Sequence, residues 1–176
     1  MDWPYNVYGG MQDNGSWRGP AYVWRAGGIR NSYWEELFFG DGFDVVPHPA
    51  NSRYGYAMSQ QGNVGRYDLA TGHTQLIKPV HPDGKYLRFN WNAAIAQDPF
   101  NEDAIYYGSQ FVHYSTDQGN NWEIISPDLT TNDKAKQEQH KSGGLTFDAT
   151  GAENFTTILS IEPSPLDKNV IWVGTD

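Results

Sequence analysis

The sequence predicts an all-β fold made of β-propeller blades, each with four antiparallel strands. About three blades are expected, which makes an incomplete propeller. The first observation is the composition, with 15% aromatic residues, 19 glycines and only 19% charged residues. Aromatic side chains suit pleated surfaces, and glycine permits tight turns. The second observation is a repeat, because residues 49–59, 99–109 and 165–175 share one pattern.

A proline opens each of these repeats, at Pro49, Pro99 and Pro165. Polar residues follow it, and then an aromatic or β-branched strand that ends on a small residue. Because proline cannot donate a hydrogen bond into a strand ladder, it marks a strand boundary. The prolines are 50 and 66 residues apart, whereas propeller blades typically repeat every ~40–50 residues. The longer interval therefore predicts an insertion.

The insertion is predicted at residues 132–141, which are charged and lack large apolar side chains. Such a segment is typical of a surface loop, and one helical turn within it is compatible with its composition. Two roles are open for this loop. It is either a solvated excursion or a loop that binds a partner.

The strands of the blades can be placed in order. The clearest repeat contains four strands, at residues 92–97, 104–109, 111–115 and 122–125. The repeat before it contains strands at residues 54–59, 63–68 and 74–78. We predict one partial propeller domain over residues 1–176, with approximate blades at 1–43, 44–90, 91–130 and a truncated blade at 144–176.

Both ends of the chain resemble interrupted blades. We therefore expect either a piece of a longer propeller or a chain that closes by association. An unpaired strand edge is a template for another chain, so a homo-oligomer formed through exposed blade edges is one predicted partner.

Charge and composition argue against several functions. The formal net charge of −9 gives an acidic surface that repels phosphate backbones, so we expect no nucleic-acid partner. No apolar run approaches the roughly 20 residues that a membrane-spanning helix requires. The chain begins without the basic and apolar regions of a signal peptide. If the parent protein is secreted, we expect its signal to have been cut away or to lie upstream.

The sequence also predicts neither a metal nor a cofactor. There are no cysteines, and the five histidines are dispersed without a metal-ligand spacing. No segment has the regularly spaced carboxylates of a calcium loop or the glycine-rich phosphate loop of a nucleotide site.

A short motif lies between the third and fourth strands of the clearest repeat. Ser115, Asp117, Gly119 and Trp122 fit the pattern S-x-D-x-G-x-x-W. We expect a hairpin in which the carboxylate accepts backbone hydrogen bonds and the glycine takes a positive φ, while the indole packs beneath the turn. These residues are therefore predicted to be structural.

The motif is similar to the Asp-box, or bacterial neuraminidase repeat. Residues 9–20, 40–43 and 88–92 also resemble segments of large bacterial Asp-box propeller proteins of the sortilin-type or glycosyl-hydrolase-like kind. The resemblance extends over residues 7–176. It implies an exported protein, extracellular or periplasmic, that acts as a binding or scaffold module for carbohydrate or protein.

The alternative that the resemblance implies is a part of a glycoside hydrolase with carboxylates facing the central channel. A propeller site draws on several blades, so the isolated chain is expected to be inactive. Sialidases have a similar fold, but their F/Y-R-I-P motif is absent here, which argues against sialidase activity.

Asp13 and Asp41 are the candidate catalytic residues. Asp13 follows a predicted inner strand, in a setting similar to that of a catalytic aspartate in xyloglucanase-like hydrolases, and Asp176 follows another. Glycosidases need two carboxyls about 5–9.5 Å apart, and Asp41 and Asp44 form a second acidic pair. Simple turns are the alternative in both places, since Asp-Asn-Gly is a common hairpin turn.

Further candidates would bind a ligand without taking part in chemistry. Trp17 and Trp91, together with Trp24 and Trp34, are candidate sugar-stacking platforms, or else they pack between blades. Arg18 is one of six arginines that would supply a carboxylate-binding cluster. The predicted ligand-binding set is Trp17, Arg18, Asp44, Trp91 and Asp176.

Overall fold

The computed structural model describes residues 3–138, 141 and 154–176. It confirms the all-β prediction, since these residues form antiparallel sheets whose strand order follows the chain, with a short 3-10 turn at Asn31–Tyr33. Two sheets have the four strands of a propeller blade. Of the predicted insertion, residues 132–138 and 141 are described, with a turn at 134–137 and mostly exposed side chains. Residues 139–140, and the start of the predicted fourth blade at 144–153, lie outside the described residues.

The chain divides into two compact units. The first contains residues 1–59 and 63–76, and the second contains residues 60–62 and 77–176. The single domain and its blade limits stay a prediction.

The first unit holds two sheets. Sheet 1 has three strands, in the order β1 (Asn6–Met11), β2 (Gly15–Pro20) and β3 (Glu35–Phe38). Sheet 2 has four strands, in the order β4 (Val45–Pro47), β5 (Tyr54–Ser59), β6 (Asn63–Asp68) and β7 (His73–Leu76). Strand β4 was not among the strands predicted from the sequence, because its three residues are too short to show a periodic pattern.

Alternation along β1 decides which side chains enter the core of the first unit. Tyr8 packs against the buried cluster of Leu37, Ala57 and Tyr67. Its neighbour Val7 is exposed, as is Met11. Successive residues of a strand point to opposite faces, so one face of sheet 1 is buried in this unit and the other carries exposed apolar side chains.

The second unit holds the other two sheets. Sheet 3 has four strands, in the order β8 (Ile95–Gln97), β9 (Ile105–Gly108), β10 (Val112–Ser115) and β11 (Glu123–Ile124). Sheet 4 pairs β12 (Ile158–Pro163) with β13 (Ile171–Thr175). Ile158 and Ile161 of β12 pack with Tyr106 and Val112 of sheet 3 in one buried cluster.

A shared hydrogen-bond pattern underlies the Pro-led repeat. The side chain before each proline accepts hydrogen bonds from the turn that follows. His48 Nδ1 accepts from the backbone N–H groups of Ala50 and Asn51, each at 3.2 Å. Asp98 Oδ1 accepts from Phe100 N at 2.8 Å, and Ser164 Oγ accepts from Leu166 N at 3.2 Å. A histidine, an aspartate and a serine thus accept the turn hydrogen bond in the three repeats, so no single residue type marks this position in the sequence.

Candidate functional site

The turn that contains Asp13 joins β1 to β2 and is held by the segment after β3. Asp13 has a φ of 63°, and its backbone N–H donates to Asp41 Oδ1 at 2.8 Å. Gly15 N donates to Gly40 O at 2.8 Å, and Gly42 N donates to Met11 O at 2.9 Å. These bonds place the two predicted catalytic aspartates next to each other.

The two carboxylates are in different environments. Asp13 is exposed, whereas Asp41 is only 7% exposed, and one of its oxygens receives the Asp13 amide. The backbones meet closely here, because a Cβ on Gly42 would lie 2.2 Å from Gly15 O. The arrangement therefore uses Asp41 to fix the turn. Asp44 is exposed, and its carbonyl accepts from Met58 N at 3.1 Å.

A groove opens on the exposed face of sheet 1. It has a volume of about 450 Å³. We call it the Trp groove, and its lining residues are Val7, Tyr8, Gly9, Gly10, Met11, Trp17 and Trp34.

Strand register places the two tryptophans of the Trp groove. Trp17 lies opposite Gly9 in the β1–β2 ladder, so its side chain is on the same face as this glycine. The Trp17 Nε1–H donates to Asn14 O, which satisfies the only polar atom of the indole. The Trp34 ring rests on Gly19, where a Cβ would lie 2.5 Å from Trp34 Cε3.

Gly9 leaves the floor of the groove open. A Cβ built on it would meet nothing within 4 Å. Of the lining residues, Trp34 is 37% exposed and Met11 is 52% exposed. The groove therefore presents aromatic and apolar surface to solvent.

Arg18 is directed away from the Trp groove although it follows Trp17 in sequence. It lies opposite Tyr8, on the buried face of sheet 1. Its Nη2 is 2.6 Å from Glu35 Oε2 in a salt bridge. Because neighbouring residues of a strand face opposite ways, the structure separates the predicted ligand-binding pair Trp17 and Arg18.

Trp91 and Asp176 belong to the second unit. Trp91 is half-buried in the segment before β8. Asp176 follows β13, which is the second strand of its sheet, and its Oδ1 accepts from Thr157 N at 2.8 Å. Gln110 follows β9, also a second strand, and its Oε1 accepts from Arg88 N at 2.8 Å. In both sheets, a residue just after the second strand thus accepts a hydrogen bond from the backbone that leads into the first strand.

The hairpin of residues 115–122 is stabilised by its own side chains. Ser115 Oγ accepts from Gly119 N at 2.8 Å, and Asp117 Oδ1 accepts from Asn121 N at 2.8 Å. Gly119 has a φ of 84°. Trp122 Nε1 donates to Ile77 O at 2.7 Å. Burial acts to raise the pKa of Asp117, but hydrogen bonds from Asn121 and Ser115 outweigh it, and the net shift is downward.

The described part of the chain contains neither a cluster of metal ligands nor a helix that could span a membrane. Among residues 3–138, 141 and 154–176, no three His, Asp or Glu side chains converge as they would around a metal ion. No helix in the described ranges combines the length and the apolar character needed to cross a bilayer.

Gly9 was not predicted from the sequence to line a site, and Trp34 was predicted only as one of several sugar-stacking candidates. The signal for Gly9 was present, because period-two alternation from Val7 puts Gly9 and Met11 on one face. Trp34 carries no comparable signal, since it reaches the groove through the loop that precedes β3.

No protein-family model matches the sequence, and no curated protein matches it. Among solved structures, the chain is similar to the GH74 enzyme of Niastella koreensis, with 16% identity and a TM-score of 0.54 over 96% of this chain and 25% of that one. It is also similar to the GH74 xyloglucanase of Xanthomonas campestris, with 12% identity and a TM-score of 0.57 over 97% of this chain and 24% of that one. The chain thus spans about a quarter of the length of these structures, and the likeness concerns the fold.

Proposed function

We propose that this chain is an Asp-box β-propeller segment of an exported protein and that it binds carbohydrate through the Trp groove. The observation that carries the proposal is the pairing of Trp17 and Trp34 around the open floor at Gly9.

The chemistry of the groove suits a sugar. The C–H faces of a pyranose ring are apolar and stack on indole rings, while the hydroxyl groups stay in water. The volume of about 450 Å³ lies within the ~300–1,000 Å³ typical of small-ligand sites. The missing side chain at Gly9 leaves room for a ring between the two tryptophans.

Binding is favoured over hydrolysis by the state of the carboxylates. A glycosidase needs one carboxyl as an acid and a second as a base or nucleophile, and both must reach the substrate. Asp41 is 7% exposed and receives the Asp13 amide. Of the two predicted catalytic aspartates only Asp13 is accessible, so this pair by itself cannot supply both roles.

The second candidate function is a part of a glycoside hydrolase. It draws support from the fold likeness to the two GH74 structures, one of which is titled a xyloglucanase. On this alternative Asp13 and Asp41 would be channel carboxylates of a site completed by further blades. The proposal also includes export of the parent protein, no binding of nucleic acid, and self-association through blade edges.

Isothermal titration calorimetry against xyloglucan, cello-oligosaccharides and malto-oligosaccharides tests the binding proposal. Trp34→Ala should weaken binding at least about tenfold, the loss expected for one aromatic platform. Gly9→Leu should abolish binding by filling the groove without a clash at Cβ. Trp172→Ala, which removes a 70% exposed indole of the second unit, is the matched control and should leave affinity unchanged.

Three results would overturn this proposal. The first is that none of these saccharides binds, and the second is that Gly9→Leu binds like the wild type while circular dichroism shows an intact fold. The third is release of reducing ends from xyloglucan by this chain, with the activity lost in Asp13→Asn. That result would establish the hydrolase instead.

A further inference from the structure

A second pocket lies in the second unit and shares no residue with the Trp groove. Its volume is about 370 Å³. We call it the Arg88 pocket, and its lining residues are Tyr86, Arg88, Lys134, Gln137, Asn154 and Phe155.

Arg88 is fixed at this pocket before any ligand arrives. Its Nε donates to Thr156 O at 3.0 Å, and its Nη2 donates to Asp128 Oδ2 at 2.8 Å and to Thr130 Oγ1 at 3.2 Å. These bonds use two of the three guanidinium nitrogens. The side chain is 13% exposed. Arg88 therefore offers Nη1 from a preorganised position, which lowers the entropy cost of binding.

Lys134 adds a positive charge that Asp128 does not neutralise. Its Nζ donates to Asn132 Oδ1 at 3.0 Å and to Gln137 Oε1 at 3.2 Å. Both acceptors are uncharged amides, and no carboxylate of the described residues forms a salt bridge with it. An ammonium group has three donors, so one N–H remains for a ligand.

Aromatic rings complete the pocket. Tyr86 is 79% exposed, and its backbone is anchored because its carbonyl accepts from Gln110 Nε2 at 3.0 Å. Phe155 is half-buried. A ligand that fits this surface needs an apolar ring face and an anionic group on the same small unit.

We propose that the Arg88 pocket binds a carboxylate-bearing sugar, a uronic acid residue of an acidic polysaccharide. The pyranose face would stack on Tyr86, and the carboxylate would accept hydrogen bonds from Arg88 Nη1 and Lys134 Nζ. The charged residues among those that line the pocket, Arg88 and Lys134, are both cations, on a chain whose net charge is −9. A flexible acidic peptide carries the charge without a rigid ring face, so the uronate is the better match. The site does not depend on the Trp groove.

Trigalacturonate is the probe, and its methyl ester, which lacks the charge, is the ligand control. Calorimetry should detect binding of trigalacturonate, with the ester at least about tenfold weaker, the effect of losing charge-assisted hydrogen bonds. Lys134→Gln should weaken trigalacturonate binding about tenfold, and Lys134→Arg should retain it. Lys168→Gln, an exposed lysine of the same unit, and Gly9→Leu should both bind normally.

Four outcomes would overturn the proposal. They are no binding of trigalacturonate, equal binding of the ester, unchanged affinity in Lys134→Gln, and equal binding of triglutamate, which would make the site a peptide site. Failure of Gly9→Leu to affect xyloglucan concerns the Trp groove alone, so the two proposals are tested separately.

Discussion

Two hairpins of this molecule share the residue types Asp, Gly and Trp but are stabilised by acceptors from different parts of the chain. The β1–β2 hairpin contains Asp13, Gly15 and Trp17, and the β10–β11 hairpin contains Asp117, Gly119 and Trp122. Both turns place a non-glycine residue and then a glycine at positive φ, with values of 63° and 73° at Asp13 and Gly15. The corresponding values at Gln118 and Gly119 are 59° and 84°.

The difference lies in the source of the acceptors. In the second hairpin the carboxylate of Asp117 binds the amide of Asn121, so the turn is stabilised from within. In the first hairpin Asp13 gives only its backbone N–H, and the carboxylate comes from Asp41, 28 residues away. A turn held from outside leaves its own aspartate exposed to solvent, and its half-buried tryptophan lines the Trp groove. It is therefore the hairpin whose side chains can serve a ligand.

The largest expected effect is a difference in the free energy of unfolding between variants of the two tryptophans. Trp122→Ala should lower the free energy of unfolding by about 3 kcal/mol, because it removes a large packed ring and leaves Ile77 O without its indole donor. Trp17→Ala should cost less than about 1 kcal/mol, since its ring lines a groove. Urea unfolding measured by far-ultraviolet circular dichroism checks both values. Equal losses would show that Trp17 is a packing residue and that the contrast fails.

Acid should weaken the second hairpin next, because His113 is buried beside Trp122, with ring centroids 6.4 Å apart. Burial, assisted by the charge of His81, lowers the pKa of His113 to about 4. The unfolded chain, with a pKa near 6.5, takes up this proton first, so the stabilisation is complete above about pH 6.5 and declines as the pH falls toward 4. The loss should reach about 2–3 kcal/mol.

Hydrogen exchange at pH 7 and pH 5 can locate this acid effect. Amides of β10 should lose protection at pH 5 in the wild type, and His113→Gln should remove most of that pH dependence. His73→Gln, which changes an exposed histidine, is the control. If the wild-type profile does not change between these pH values, His113 does not titrate as its burial requires.

The smallest expected effect separates the two aspartates. Asp117→Ala should cost about 2 kcal/mol, since it removes acceptors for Asn121 and Ser115. Asp13→Ala should cost less than about 1 kcal/mol, because the backbone N–H that binds Asp41 is kept and only the preference of Asp for positive φ is lost. Thermal unfolding of the two variants measures the gap. If Asp13→Ala lost more unfolding free energy than Asp117→Ala, the first hairpin rather than the second would depend on its own aspartate.

Much of the second and third sheets could be predicted from the sequence. Strands at residues 54–59 and 63–68 match β5 and β6 in full, since alternating small, aromatic and β-branched residues favour a strand. The predicted strand from residue 92 begins instead at Ile95, because Asn90 Oδ1 accepts from Asn92 N in a turn. The short β4 was not predicted, and its existence depends on its ladder with β5.

The candidate site was predicted only in part. Asp13 and Asp41 were singled out and do lie together, but the backbone contact between them was not foreseen. Trp17 and Arg18 were grouped as ligand-binding residues, and their strand places them on opposite faces. The Arg88 pocket gave no sequence signal, since Arg88 and Lys134 are 46 positions apart and meet only through loops.

The sequence by itself determined the turns and the order of the strands. Hairpins and Pro-led turns depend on residues within a few positions of one another, and Gly119 or Asp98 acts through such local bonds. Only the tertiary structure decided which faces are open and which carboxylate is buried. Exposure of the Trp groove and burial of Asp41 depend on strand register and on partners distant in the chain, and these contacts form only when the sheets assemble.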